Sequence, residues 1–213
     1  MILESASTIL NNEIQLIGDD KDYGKTLVIG VVHGDEPQGE FLINHYLENC
    51  GKVPENILFI PALNPDGLKL NTRVNSNGVD INRNFPTKNW EKSAKFDTDG
   101  EINRYFGGEN PNSEIETRFV INAIEKYKPS LIITLHTPFK VVNFDGPAQK
   151  IAEKIGKVWG YPIEECIGYP TPGSFGTWAG VERGIPILTI EMDEEIQQEK
   201  LIVPFGEMIG LLN

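Results

Sequence analysis

The chain has 213 residues, 39% of them apolar, and 31 Asp and Glu against 19 Lys and Arg give a formal net charge of −12. That length and apolar content suit one domain over residues 1–213 with its own core. The acidic balance excludes general binding to nucleic acid or to anionic membrane, since both reward basic surfaces.

The N-terminal "MILESASTILNN" has neither the basic start nor the apolar stretch of a signal peptide. No run approaches the ~18 apolar residues of a membrane span, so a cytoplasmic protein is expected. "KTLVIGVV" (25–32) reads as a buried strand, and "PQGEFLINHYLENC" (37–50) as a helix with Pro37 near its start. "NILFIPA" (56–62) is a second buried strand. "SEIETRFVINAIEKY" (113–127) opens with Ser113 and Glu116 in a capping-box pattern. "SLIITLH" (130–136) is a third strand, "PAQKIAEKIGKVW" (147–159) a helix and "IPILTIEM" (185–192) a fourth strand. A last helix is interrupted by Pro204. Apolar strands separated by helices predict a three-layer α/β/α fold around a mixed, largely parallel sheet. Two cysteines, Cys50 and Cys166, without a CxxC pattern read as reduced thiols.

Residues 63–112 and 161–184 break the rhythm. They are rich in Asn, Gly, Pro and Asp, and irregular segments of that length inside a domain are usually functional. Open α/β sheets also place chemistry at the carboxyl ends of strands. Three such ends carry suitable groups: His33 with Glu36 in "HGDE", His136, and Glu191. Two His and one carboxylate form a known catalytic zinc set that leaves a position open for water. His45, the third histidine, falls within the helix and reads as a surface or packing residue. HxxE arises often by chance, so composition and spacing alone leave a metal site and a structural role for these histidines both open. The loop "RVNSNGVDINRNFP" (73–86) adds Arg73 and Arg83, two of few cations, whose guanidinium forks suit carboxylates. Asp80 there reads equally as a turn residue.

HxxE, the "NRNFP" loop, a strand-end His and a strand-end Glu, in that order from His33 to Glu191, resemble the zinc carboxypeptidases. "GVDINRNFPTKNW" and "GYPTPGSFGTW" (168–178) are similar, more narrowly, to the bacterial branch that hydrolyses γ-D-glutamyl-meso-diaminopimelate bonds. The resemblance implies a zinc carboxypeptidase-like fold and one Zn2+ held by His33, Glu36 and His136. It implies that Arg73 polarises the scissile carbonyl, that Asn82 and Arg83 grip the terminal α-carboxylate, and that Asp80 supports the first zinc histidine. Glu191 falls on the general base, and Tyr169 near the family's mobile tyrosine. Digestive members carry Arg where this chain has Asp35, so a different substrate environment is expected.

The function implied is a zinc-dependent amidase that cleaves the γ-D-Glu–meso-diaminopimelate bond of the murein tripeptide in cell-wall peptide recycling. Its partner would be a small peptide substrate. A polar specificity pocket is then required, and Thr171, Ser174 and Thr177 are candidate donors. Alternatives are a carboxypeptidase for α-linked peptides, an N-acyl amino acid deacylase of the aspartoacylase or succinylglutamate desuccinylase type, and a binding module without turnover.

Overall fold

The computed structural model describes residues 1–19, 25–93, 95–96, 98–101, 103–165 and 171–213. Its elements follow in chain order as β1 (Ile2–Ser7), β2 (Glu13–Ile17), β3 (Thr26–Ile29) and α1 (Gln38–Asn49). Next come β4 (Ile57–Ile60), the short α2 (Pro65–Leu70), α3 (Ile115–Tyr127), β5 (Leu131–His136) and β6 (Val141–Asp145). The chain finishes with α4 (Gln149–Trp159), β7 (Ile163–Glu164), β8 (Ile187–Glu191) and α5 (Ile202–Leu212).

Among the described residues the strands form one sheet of eight in the order β1-β2-β4-β3-β5-β8-β6-β7. β4, β3, β5 and β8 are parallel, β1 and β2 extend that block antiparallel, and β6 runs antiparallel to β8. The central strands are buried along their length because both faces are covered. Alternate residues point to opposite sides of a strand. Val28, Phe59, Ile133 and Leu188 therefore meet α1, α4 and α5 through Leu42, Ile155 and Phe205. Leu27, Leu58 and Ile132 meet α3 and the segment after residue 171 through Val120, Phe175 and Trp178. This is the predicted three-layer arrangement. Each fully buried Leu, Ile or Phe contributes about 1.5–3 kcal/mol. Truncating Phe59, which is completely enclosed, to Ala would cost about 3–5 kcal/mol.

Several boundaries differ from the sequence pattern. The first core strand ends at Ile29, not residue 32, because Gly30 lies against the neighbouring backbone. A Cβ there would sit 2.4 Å from Pro61 O and 2.7 Å from Gly39 C. Val31 then turns with φ 47, which places His33 in the loop beyond the strand. α3 begins at Ile115 without a side-chain cap, and the Ser113 hydroxyl meets Glu114 Oε1 at 2.6 Å instead. Pro204 does not interrupt α5. It lies in the first turn, where its missing N–H has no intrahelical partner to lose. β1, β2, β6 and β7 were not anticipated: β1, at the sheet edge, and β2 beside it are half-exposed, and β7 is two residues long. No helix among the described residues is long and apolar enough to cross a membrane. Cys50 is a free thiol, and Cys166 lies outside the described residues.

Candidate functional site

His33, Glu36 and His136 converge although they come from two distant parts of the chain. His33 and Glu36 occupy the loop between β3 and α1, and His136 ends β5, which pairs with β3. His33 Nδ1 and His136 Nδ1 are 3.1 Å apart. Glu36 reaches both, with Oε1 2.8 Å from His33 Nδ1 and Oε2 2.8 Å from His136 Nδ1. Two imidazole nitrogens and a carboxylate facing one point, all of them buried, form a group that fits a metal ion. Nitrogens and carboxylate oxygens in that number suit zinc. The electrostatics agree. Burial alone would push the His33 pKa down, yet the Glu36 and Asp80 carboxylates outweigh it and raise it to about 9. Burial pushes the other way on Glu36, and His33 and His136 hold it well below the usual carboxylate range. The site thus attracts positive charge.

The irregular segment after α2 supplies the next ring of groups. Asp80 is completely buried, and Oδ1 lies 3.3 Å from His33 Nε2, an ion-pair contact without hydrogen-bond alignment. Asp80 Oδ2 accepts from Arg73 Nε at 3.1 Å. Oδ1 also accepts from the Asn82 backbone N–H at 2.8 Å, capping the single 3-10 turn Ile81–Arg83. Burial would raise the Asp80 pKa, but His33 and Arg73 hold it well below the ordinary value. Arg73 Nη1 lies 3.7 Å from Glu36 Oε1. The Asn82 amide oxygen accepts the Phe175 N–H at 2.9 Å, which leaves its NH2 as a donor without a partner among the described residues. Arg83 is buried and donates to Asn82 O at 2.7 Å. The guanidinium carbons of Arg73, Arg83 and Arg104 all lie 5.4–5.7 Å from the Tyr105 ring centroid.

Glu191 ends β8 in direct register with His136 on β5. Burial raises its pKa, with the His136 contact opposing and Glu36 adding to the rise. Its Oε2 is buried without a hydrogen-bond partner among the described residues. A pocket of about 460 Å³ opens in front of it, lined by the three candidate ligands, Arg73, Asn82, Arg83 and Ser174 among others. The predicted residues are therefore brought to one cavity, with Asp80 directly behind it. Tyr169 lies outside the described residues. Ser174 Oγ is tied into a hydroxyl chain, 3.2 Å from Thr171 Oγ1 and 2.9 Å from Thr177 Oγ1. Thr171 lines the pocket beside Ser174. His45 sits on α1 and stacks on Phe41 at 6.0 Å, away from the cavity lining.

Sequence reasoning missed Arg104, Tyr105, Asn143, Asp145 and Thr189 in the lining. Thr189 was reachable, since it lies two residues before Glu191 on a strand and shares its face. Asn143 and Asp145 were hidden with the unrecognised strand β6, and Arg104 and Tyr105 sit in aperiodic chain. Also missed was Asn84, completely buried, whose NH2 donates to Gly107 O, Asn110 O and Ser113 Oγ and whose oxygen accepts from Glu114 N and Thr117 Oγ1. It fixes the turn that presents Asn82 and Arg83. The two irregular segments lock together around that turn: Phe85 stacks on Phe175 at 4.5 Å, and Phe85 N donates to Gly173 O at 3.0 Å. Gly173 has φ +72, and a Cβ there would lie 2.2 Å from Arg83 O, so only glycine allows this approach.

Comparison with known proteins gives three concordant findings. The zinc carboxypeptidase family profile matches residues 25–154. Murein peptide amidase A of Escherichia coli (strain K12) is 31% identical over 160 residues, covering 71% of this chain and 64% of the relative. The match thus spans slightly less than two thirds of that relative's length. Murein peptide amidase A of Vibrio campbellii is 33% identical over 181 residues, covering 78% of this chain and 68% of the relative. Among solved structures, a murein-tripeptide amidase from Escherichia coli O157 superposes with a TM-score of 0.83 at 24% identity, covering 97% of this chain and 89% of the other. Thrombin-activatable fibrinolysis inhibitor superposes with a TM-score of 0.69 at 19% identity, covering 99% and 68%. Both share the fold.

Proposed function

The chain belongs to the zinc carboxypeptidase family, and from that membership we propose that it is a zinc-dependent amide hydrolase releasing diaminopimelate from L-Ala-γ-D-Glu-meso-diaminopimelate. The observation that carries the reading is Glu191 Oε2, buried and without a partner among the described residues, in register with His136, where three ligand groups converge. The setting is recycling of cell-wall peptides inside the cell, with the chain acting as one catalytic unit. The names of the relatives from Escherichia coli and Vibrio campbellii support the substrate class.

Zinc held by His33, Glu36 and His136 would supply a Lewis acid that lowers the pKa of water and polarises a carbonyl. Glu191 takes the proton of the attacking water on its carboxylate and returns it to the departing amine, and a carboxyl raised by burial suits both halves of that task. Arg73, fixed by Asp80, faces the negative charge that develops on the carbonyl oxygen. Arg83 and the Asn82 NH2 grip the free α-carboxylate of the leaving residue. A γ-linked tripeptide satisfies all of this. Its diaminopimelate keeps a free α-carboxylate at the L-centre while its amine is acylated by the γ-carboxyl of D-Glu, so it enters as a C-terminal residue would.

The test is a mass-spectrometric product assay with zinc-loaded protein. The tripeptide is offered beside α-linked dipeptides and N-acyl amino acids. Release of diaminopimelate with the others intact is the expected result. An intact tripeptide beside a cleaved α-linked or acyl substrate would overturn the substrate assignment.

A further inference from the structure

Three guanidiniums meet at one exposed ring in the wall of the pocket. The chain has five arginines in all. The guanidinium carbons of Arg73, Arg83 and Arg104 lie 5.4, 5.6 and 5.7 Å from the Tyr105 centroid, within the range at which the face of an aromatic ring attracts a cation. Tyr105 and these three arginines line the same cavity. Like charges gathered in this way repel one another unless anions stand among them.

The protein's own anions serve one of the three. Arg73 Nε lies 3.1 Å from Asp80 Oδ2, and its Nη1 lies 3.7 Å from Glu36 Oε1. Arg83 donates to a backbone carbonyl, Asn82 O, and among the described residues no carboxylate lies within ion-pair distance of it. Arg104 has neither a hydrogen bond nor an ion pair among the described residues, and its contact is the Tyr105 ring. Asp35, Glu165 and Glu194 line the cavity as well, yet none of them pairs with Arg104. The two arginines elsewhere in the chain are tied down locally, Arg118 to Asn112 O and Arg183 to Trp178 O. Arg104 stands instead beside the two arginines that the reaction uses, with its fork unfilled.

A γ-linked glutamyl substrate has an anion for each unfilled guanidinium. Arg83 takes the α-carboxylate of the leaving residue. On the other side of the scissile bond, the glutamyl residue carries its own free α-carboxylate, about 5 Å from the carbonyl carbon when extended. Arg73 stands at the carbonyl oxygen, and Arg104 shares a ring with Arg73, which brings that carboxylate within reach of the Arg104 fork. We propose that Arg104, seated on Tyr105, binds the free α-carboxylate of the glutamyl residue on the acyl side of the scissile bond. This rests on the site being an amide hydrolase for γ-glutamyl peptides. A guanidinium meets a carboxylate through two parallel N–H···O bonds, and stacking on Tyr105 orients the fork before the peptide arrives. A neutral group of the same shape leaves the fork unmatched and is selected against.

The test compares L-Ala-γ-D-Glu-meso-diaminopimelate with the same peptide amidated at the glutamyl α-carboxyl, which keeps the shape and removes the charge. Turnover of each is measured on the zinc-loaded protein. Binding of each is measured by calorimetry on zinc-loaded Glu191→Gln protein, with and without Arg104→Gln. The expected result is a preference for the free acid, in kcat/KM and in affinity, that Arg104→Gln reduces about tenfold, the effect of one charge-assisted contact covered by the bound peptide. A wild-type protein that does not distinguish the two peptides overturns the proposal. So does an Arg104→Gln variant that keeps the preference, or one that weakens both peptides equally, as a structural residue would. If neither peptide is cleaved while calorimetry still shows an Arg104-dependent preference for the free acid, the hydrolase assignment falls and the carboxylate-binding assignment stands.

Discussion

Asp80 stands behind His33, its Oδ1 3.3 Å from the imidazole Nε2, while its other oxygen holds Arg73 Nε at 3.1 Å. One buried carboxylate thus sets the orientation of an imidazole and a guanidinium together. Asp80→Asn is expected to weaken zinc binding about ten- to a hundredfold, the usual effect of losing a carboxylate behind a ligating histidine. Competition against a chelator reads this directly. Unchanged zinc affinity would show that His33 does not depend on Asp80.

Glu191→Gln keeps the shape of the side chain and removes the base. Turnover on the tripeptide should fall about 10²–10⁴-fold while zinc content stays at the wild-type level. Undiminished turnover would remove Glu191 from the chemistry.

Zinc should stabilise the fold through its ligands. At a hundredfold excess over Kd, a ligand that binds only the native state adds about 2.7 kcal/mol. The melting temperature is expected to rise on zinc addition and drop again with chelator, and His136→Ala should abolish the response. A variant that still binds and responds to zinc as the parent does would exclude His136 as a ligand.

Asn84 makes five hydrogen bonds, three of them buried, to Gly107, Asn110, Ser113, Glu114 and Thr117. Asn84→Ala leaves several of those partners unmet and should cost at least about 2 kcal/mol in urea denaturation. The surviving folded enzyme should show a raised KM, since Asn82 and Arg83 ride on the same turn. A loss below ~0.5 kcal/mol would show that water replaces the amide there.

Glu116, 1% exposed, should shape stability against pH. Burial raises its pKa from an ordinary 4.5 to about 7, with Asn75 opposing the rise. Below pH ~4.5 both folded and unfolded chains hold the proton, and its contribution is complete. Between pH ~4.5 and ~7 the unfolded chain releases the proton while the fold keeps it, so stability declines as pH rises and levels off above. At about 1.4 kcal/mol per pKa unit the decline is on the order of 3 kcal/mol. Glu116→Gln should remove this decline, gaining on the parent at pH 8 relative to pH 4. Parallel stability profiles for the two proteins would mean that Glu116 ionises normally.

The central strands were legible because they are continuous apolar runs covered on both faces, and the helices because their apolar residues recur at helical spacing. β1 and β2 were not, since strands with a partly wet face carry a weaker pattern than continuous apolar runs. His136 and Glu191 could be placed at strand ends, but their direct register could not be read. Pairing is set by long-range packing that no local window contains. Asp145 was invisible for the same reason, because its place in the pocket depends on β6 lying antiparallel beside β8.

The strand order has a consequence for how the protein is made. β8 lies between β5 and β6, both earlier in the chain, and among the described residues β6 and β7 join the rest of the sheet only through it. A nascent chain that has not yet produced β8 already contains His33, Glu36 and His136, yet its sheet is in two pieces. β8 follows the other strands of this sheet in the chain, and its arrival closes the sheet and delivers Glu191 in the same step. An unfinished chain could capture a metal ion without being able to cut a peptide, so hydrolytic competence comes only with the finished sheet.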